Sequence, residues 1–327
     1  MTRTMVSIIV SIYNVAKFLD DCIGSIMRST YPDMEVILVD DGSTDGSEDI
    51  CDKWAARDER VSVIHQANTR IAAARNNGLS RARGKYILFV DGDDMIHPLM
   101  LETLVRAIES GDYDFSMVLG RSIDEGDVAR YKAAQSEEEL QLKPVEIPQE
   151  ELMQHLFDLT TFQYQVVWNK LYRKSLIEAI PFMQVPNEDL EWNTRVFLKA
   201  RRAVVVEREL YYYVQHGASI MHRKFGRGII DQLGTVMMCL DQLPETDRHG
   251  RSCCLAYLYK TYFYQRYKSA KKQVPFLGDV KSFGKQMHGY AGKELWHSDL
   301  SMIDKLKIVA FYRFPSLYKL LMAHIAK

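Results

Sequence analysis

The first third of the chain alternates strand-like and helix-like segments. Four apolar runs rich in β-branched residues, typical of buried strands, are VSIIVSIYN, MEVILVD, VSVIHQ and KYILFVD. The segments between them place apolar residues three and four positions apart, as Leu19, Cys22 and Ile23 do, which predicts helices with one buried face. Strands and helices that alternate over short links predict an α/β fold with a mostly parallel sheet covered by helices on both faces.

The composition excludes several classes of protein. Hydrophobic residues make up 47% of the 327 residues and charged residues 26%, as in globular proteins, and the length allows one large domain or two ordinary ones. A formal net charge of -1 gives no overall attraction to nucleic acid, and five cysteines without a CxxC pair argue against a disulfide framework or a structural zinc site. The apolar N-terminal run is too short for a signal peptide, and no apolar stretch approaches the roughly 20 residues that span a bilayer. We therefore expect a cytoplasmic protein, soluble or peripheral to the cytoplasmic face of the membrane.

Two of the predicted strands end in clusters of aspartates. Asp91, Asp93 and Asp94 follow KYILFV, and Asp40 and Asp41 follow MEVILV. Since ligands bind beyond the carboxyl ends of the strands in such sheets, we expect both clusters in one crevice. Carboxylates this close repel each other, and burying them is costly unless a cation or water compensates. The first cluster therefore indicates either a solvated turn or a site for Mg²⁺ or Mn²⁺, which prefer oxygen ligands.

Three further segments leave two interpretations open. The turn from Asp40 to Ser43 is typical of a helix cap, or of a carboxylate that binds a base or a ribose. The acids of NEDLEW, Glu188 and Asp189, suit a helix N-terminus through the helix dipole, or provide a general base for a substrate hydroxyl. The segment QHGASIMHR, with His216, His222 and Arg223, is typical of a solvated loop, or of a basic loop that closes over a diphosphate.

Taken together and in this order, these segments resemble the family 2 glycosyltransferases with a GT-A fold. The resemblance is dense from Val6 to about Ile108 and continues through WNKLYRKSLI, NEDLEW and LYYYVQHGASIM, which are similar to bacterial members that build capsule, exopolysaccharide or lipopolysaccharide. It implies a GT-A catalytic domain over residues 1–225, with a nucleotide-binding half at about 1–118 and an acceptor-side half at about 150–225. Residues 226–327, whose pattern is helical, then form a C-terminal region.

The resemblance assigns a nucleotide-sugar site to particular residues. Tyr13 and Asp41 correspond to family positions that face the nucleotide base, and Ser11 is expected nearby in the nucleotide-sugar site. The expected site is completed by four basic residues, Arg70, Arg75, His222 and Arg223.

The resemblance also assigns the chemistry to acidic residues. Asp91, Asp93 and Asp94 correspond to the acids that face ribose, metal and diphosphate, so we expect Asp93 and Asp94 to bind the metal, with Asp94 as the first ligand. Asp189, with Glu188 beside it, corresponds to the catalytic base.

The chain departs from the family pattern in three ways. Many relatives have proline where Ser11 stands, and many have NGG where this chain has Asn68, Thr69 and Arg70. The second exchange makes the loop bulkier and cationic, which either brings a guanidinium to the diphosphate or changes donor preference. The QxxRW signature of processive synthases is absent, which favours the addition of one sugar over polymerisation.

The implied reaction transfers one sugar, with inversion, from a nucleotide-diphosphate sugar to a hydroxyl of a glycan or polyprenyl-linked acceptor. The resemblance to the family favours a UDP-sugar as the donor. Mn²⁺ or Mg²⁺ would stabilise charge on the diphosphate, and Asp189 would deprotonate the acceptor. One alternative is a catalytically silent nucleotide-binding subunit of a polysaccharide complex. Another is a nucleotidyltransferase, which would need a glycine-rich phosphate loop that SIYNVAKF does not offer.

The final segment, KIVAFYRFPSLYKLLMAHIAK, mixes large apolar residues with Lys307, Arg313, Lys319 and Lys327. Pro315 should divide it into two short helices. These helices either pack on the catalytic domain or lie as an amphipathic element on an anionic membrane surface.

Overall fold

The computed structural model describes residues 5–133, 143–217 and 228–325. The chain forms two compact units, each built from three segments. The first unit comprises Met1–Gln149, Val166–Gln184 and Arg195–Arg223, and the second comprises Glu150–Gln165, Val185–Thr194 and Lys224–Lys327.

A sheet of nine strands, counted within the described residues, forms the centre of the first unit. The strands β1 to β9 are Val6–Ile12, Met34–Asp40, Val61–His65, Tyr86–Asp91, Met95–Ile96, Phe115–Asp124, Pro144–Pro148, Lys170–Arg173 and Arg202–Gln215. Their order is β3-β2-β1-β4-β8-β6-β9-β5, and β7 also pairs with β9. The strands β1 to β4 are parallel, as the sequence predicts, whereas β8 runs antiparallel to both β4 and β6. The sheet as a whole is therefore mixed.

The helices match the predicted alternation. Within the described ranges, α1 to α13 are Ala16–Met27, Ser47–Arg57, Ile71–Arg81, Met100–Glu109, Val128–Ala133, Gln149–Leu156, Lys174–Ile177, Glu188–Lys199, Ile229–Gln242, Arg248–Lys271, Leu277–His297, Met302–Arg313 and Pro315–Ile325. None of these helices combines the length and the apolar character that crossing a bilayer requires.

The strand β1 shows why the first apolar runs are continuous. Side chains alternate between the two faces of a strand. Ile8 and Val10 lie in one core cluster with Leu19 of α1. Ile9 points to the other face, where Gly78 of α3 lies so close that an added Cβ would overlap its side chain. Because helices cover both faces, every position from Val6 to Val10 is buried.

The element bounds show one long strand in the later chain and confirm the prediction for the C-terminal tail. The segment AVVVERELYYYVQ belongs to the single strand β9. Pro315 divides the tail into α12 and α13 and begins the second of these helices, where its missing N–H is tolerated. The polar segment 121–150 contains the end of β6, the short helix α5 and the edge strand β7 in its described parts.

Candidate active site

The two aspartate clusters lie at the same edge of the sheet, as predicted. The strand β1 lies between β2 and β4, and Ile12 is in register with Asp40 while Ser11 is in register with Asp91. Gly92 follows β4 so closely against β1 that a Cβ there would lie 3.0 Å from the Ser11 carbonyl oxygen. The crevice beyond β1 and β4 is therefore bordered by both acid clusters.

The cluster of Asp40 and Asp41 orders the loops around it. Asp40 Oδ1 accepts a hydrogen bond from the amide of Ser43 at 3.1 Å, which fixes the turn after β2. Asp41 is buried, and its Oδ1 accepts from the Thr69 amide at 2.8 Å and from Gln66 Nε2 at 2.7 Å. Asp41 thus holds the loop that leads into α3.

Arg70 ends this loop in a conformation that is essentially reserved for glycine. Its φ is 71° and its ψ is 164°. Its carbonyl oxygen accepts from the amides of Ala73 and Ala74, which begins α3, and the residue is exposed. A cation is therefore held under backbone strain at a helix N-terminus, the end of a helix that attracts anions.

Asp91 is paired with a buried cation. Arg75 Nη2 donates to Asp91 Oδ1 at 3.1 Å, and Arg75 is only 1% exposed. Its guanidinium lies over the ring of Phe182, 5.3 Å from the centroid. Arg75, expected from the sequence to bind the nucleotide-sugar, supports Asp91 from within the protein.

Asp94 is turned away from solvent. Its side chain has no exposed surface, its Oδ2 accepts from the Tyr211 hydroxyl at 2.6 Å, and its Oδ1 accepts from the Val214 amide at 2.9 Å. Burial, reinforced by the charges of Asp93 and Asp91, raises the pKa of Asp94 well above its usual value. Asp94 therefore anchors β9, and the expectation that it is the first metal ligand stays a prediction.

Asp93 has a partner that the sequence did not reveal. A hydrogen bond of 2.9 Å joins its Oδ2 to His216 Nε2, and the His216 ring stacks on Phe18 at a centroid distance of 4.3 Å. The Asp93 side chain keeps 26% of its surface exposed, whereas that of His216 is 6% exposed. His216 follows β9 directly, and only the pairing of that strand brings it to Asp93.

The expected base-binding residues lie at the end of β1. Tyr13 is 52% exposed. The Ser11 hydroxyl is buried and has no hydrogen-bond partner among the described residues. A buried hydroxyl with no partner is costly unless a ligand or a water completes it.

The predicted base lies in the second unit. Glu188 and Asp189 form the first turn of α8 and are half-buried. The third acid of NEDLEW, Glu191, is fully buried and accepts a hydrogen bond from Gln242 Nε2 at 2.6 Å. Glu188 and Asp189 therefore remain the accessible acids of this segment.

Trp192 is fully buried, and Trp168 stacks on Tyr211 at 4.1 Å, so both tryptophans are core residues. The predicted basic residues His222 and Arg223 lie outside the described residues.

The acid cluster fits a cation that is shared with a ligand. Within the described residues, no group of three or more His, Cys, Asp or Glu side chains forms a complete metal cage. Asp91 and Asp93 nevertheless keep 24% and 26% of their side-chain surface exposed on either side of Gly92. Mg²⁺ and similar ions are commonly held by one or two carboxylates together with substrate phosphate oxygens. These two residues match that pattern.

The fold and the acidic strand ends define an α/β protein of the GT-A type. Comparison with known families is more specific: the chain belongs to glycosyl transferase family 2, whose model matches residues 7–180.

Individual relatives agree with this assignment. The uncharacterized glycosyltransferase EpsJ of Bacillus subtilis (strain 168) is 36% identical over 220 residues, which cover 66% of this chain and 62% of EpsJ. Glycosyltransferase GlyG of Streptococcus pneumoniae serotype 4 is 36% identical over 229 residues, which cover 68% of this chain and 74% of GlyG. The chain thus spans less than two thirds of EpsJ and about three quarters of GlyG.

A solved structure shows the same fold. The structure of S. aureus TarS 1–349 in complex with UDP-GlcNAc superposes with a TM-score of 0.70 at 19% identity, and the match covers 90% of this chain and 84% of that chain. This likeness confirms the predicted GT-A fold with a helical C-terminal region.

Proposed function

We propose that this protein transfers one sugar, with inversion, from a nucleotide-diphosphate sugar to a hydroxyl of a glycan or lipid-linked acceptor in the synthesis of a bacterial surface polysaccharide. The observation that carries the proposal is the pair of partly exposed carboxylates, Asp91 and Asp93, at the crevice beyond β1 and β4. Family membership supports glycosyl transfer. The UDP-GlcNAc bound by the structural relative TarS supports a UDP-sugar as donor.

Asp93, with Asp91 beside it, would hold Mn²⁺ or Mg²⁺ in this proposal. The ion would act as a Lewis acid that stabilises the charge developing on the diphosphate leaving group. Asp94 takes a different role from the one that the sequence suggested. Its bonds to Tyr211 and Val214 fix the turn that carries Asp93.

The other residues act on binding and on proton transfer. Arg70 contributes a cation for the diphosphate at the N-terminus of α3, and Ser11 and Tyr13 border the base site. Asp189 accepts the proton of the acceptor hydroxyl, which attacks the anomeric carbon from the face opposite the diphosphate. A single base and no second nucleophilic carboxylate is the arrangement that inversion requires.

The test is the release of nucleoside diphosphate from a panel of nucleotide-sugars, with Mn²⁺ or Mg²⁺ and with chelator. We expect release that depends on the ion, and Asp93→Asn should lower it by at least about a hundredfold, because stabilisation of the leaving group is lost. Asp189→Asn should keep the affinity for nucleoside diphosphate in calorimetry but lower transfer to acceptor by about a hundredfold or more.

Asp49→Asn, an exposed carboxylate on α2, is the matched control and should leave both measurements unchanged. Tight nucleoside diphosphate binding without release from any donor would instead favour the silent binding subunit. Near-normal turnover of Asp93→Asn at saturating ion would remove Asp93 from the proposed metal site.

A further inference from the structure

The last four helices carry a large excess of positive charge. Between Arg248 and Ile325 the sequence has fourteen lysines and arginines against four acidic residues, although the whole chain has a net charge of -1. The helix α10, 24 residues long, has no acidic residue in its sequence. Such an asymmetry attracts anionic partners to one part of a protein.

The same region exposes large apolar side chains. Six of them, on α12, on α13 or between the two helices, are between 43% and 67% exposed: Met302, Ile303, Leu306, Phe314, Leu317 and Leu320. Scattered apolar residues on a surface need no explanation, but this concentration marks an interaction surface.

A cavity of about 270 Å³ lies in this unit and is lined by residues of α10, α11, α12 and α13. Four aromatic rings form its apolar wall: Phe263, Tyr267, Phe311 and Tyr318. They contact one another, with centroid distances of 5.4 Å between Phe311 and Tyr318 and 5.5 Å between Phe263 and Tyr318. The wall is therefore a connected aromatic surface rather than a chance gap.

Three cations line the same cavity. Arg266, Lys281 and Lys319 come from three different helices. Arg266 Nη1 donates to the hydroxyl of Tyr262 at 3.4 Å. Within the described part of the chain, none of the three cations forms an ion pair with a carboxylate. The cavity thus combines an apolar wall with uncompensated positive charge.

We propose that this cavity, with the exposed apolar faces of α12 and α13, binds the anionic surface of a lipid bilayer. A lipid phosphate would contact the cations Arg266, Lys281 and Lys319, and the adjoining part of the lipid would pack on the aromatic wall. The exposed leucines and phenylalanine would enter the boundary between head groups and acyl chains, as amphipathic interfacial helices do.

Charge complementarity favours an anionic bilayer over a second copy of the chain as the binding partner. An isologous dimer would bring the same basic helices against each other and would add repulsion. An anionic leaflet instead gains from each basic residue near its surface. The proposal does not rest on glycosyl transfer, since it is tested without donor or acceptor.

The experiment is vesicle flotation with the full chain at low salt. Vesicles of phosphatidylcholine with about one third phosphatidylglycerol should carry the protein, and pure phosphatidylcholine vesicles should not. The double variant Lys281→Glu and Lys319→Glu changes two exposed cations of the cavity and should lower the bound fraction at least about tenfold. Leu317→Gln with Leu320→Gln should also weaken binding, because it removes apolar contact without changing charge.

The matched control is Lys53→Glu with Arg57→Glu, which makes the same change of net charge on exposed residues of α2. It should bind vesicles as the unchanged protein does. If the control variant loses as much vesicle binding, the effect depends only on net charge, and the proposed binding site is overturned. Two further results would overturn it: no binding to anionic vesicles, or a concentration-dependent dimer that the leucine variant abolishes.

A last comparison distinguishes binding of a lipid from binding of a free anion. Inorganic phosphate at about 10 mM, compared with sodium chloride of equal ionic strength, should leave vesicle binding unchanged, because the apolar contacts are absent from free phosphate. Displacement by phosphate beyond the salt control would identify a small-anion site and contradict the lipid assignment.

Discussion

Tyr211→Phe removes one hydroxyl from the centre of the acid cluster. That hydroxyl donates to Asp94 Oδ2 at 2.6 Å and accepts from the Asp91 amide at 3.3 Å. Burial, with the charges of Asp94 and Asp91, raises the pKa of Tyr211 well above its usual value, so the hydroxyl stays protonated and able to donate. Phenylalanine keeps the ring that stacks on Trp168, so the change is confined to the hydrogen bonds.

The expected loss of stability follows from these two bonds. A hydrogen bond to a buried acid contributes about 1.5 to 3 kcal/mol, and a bond from an amide contributes about 0.5 to 1.5 kcal/mol. We therefore expect Tyr211→Phe to lower the free energy of unfolding by about 2 to 4.5 kcal/mol. Because the same bonds fix the turn that carries Asp93, release of nucleoside diphosphate should also fall, by about tenfold or more.

The assay is urea unfolding followed by tryptophan fluorescence, together with the release assay. Tyr86→Phe is the matched control, because Tyr86 is also fully buried, on β4, and its hydroxyl makes a long bond of 3.4 Å to Glu109. In an Asp94→Asn background the cost of Tyr211→Phe should shrink, since the acceptor is then a neutral amide. If Tyr211→Phe is no more destabilising than Tyr86→Phe, the role given to this hydroxyl is refuted.

Two further predictions concern a strained loop and a buried carboxylate. Arg70→Gly should raise the free energy of unfolding by about 1 kcal/mol, because glycine accepts the positive φ, and should weaken nucleoside diphosphate binding by about tenfold, because a cation is lost. Arg70→Ala should weaken binding without the gain in stability; equal stability of the two variants would show that the backbone is not strained. Burial raises the pKa of Glu35, but hydrogen bonds from Ser7 and from the backbone and guanidinium of Arg83 outweigh it and lower the pKa below its ordinary value. The free energy of unfolding of the unchanged protein should therefore exceed that of Glu35→Gln by a constant amount above about pH 5. This difference should shrink as pH falls through the lowered pKa. Urea midpoints of the two proteins that differ by the same amount at every pH would contradict this.

Local periodicity predicted the elements whose formation depends on local sequence. The runs that became β1 to β4 and the helices α1 to α4 follow from apolar spacing, because each element buries its own residues on one or both faces. The two-residue strand β5 has no such signal, since it exists only through its pairing with β9. The same holds for β7, whose five residues pair with the first part of β9.

The candidate site also has some features that the sequence predicts and others that depend on the fold. Both acid clusters were predictable at one edge of the sheet, because neighbouring parallel strands end together. The burial of Asp94 was not, because it depends on Tyr211 and Val214, which are 117 and 120 positions further along the chain. Nor was the bond from His216 to Asp93, which spans 123 positions. Adjacent aspartates look equivalent in a sequence, and only the fold distinguishes a buried anchor such as Asp94 from a partly exposed carboxylate such as Asp93.

The partners of the three aspartates explain how the cluster can fold before any cation is present. Asp91 is compensated by Arg75 of α3, Asp93 bonds to His216, and Asp94 is held by groups of β9. Two of these three supports come from the end of β9 or from the residue that follows it. A shift of that strand would therefore displace Asp93 and Asp94 together and leave the contact of Asp91 with α3 in place. Since Asp93 is the proposed metal ligand, the position of β9 sets the geometry in which the cation and the diphosphate would be bound.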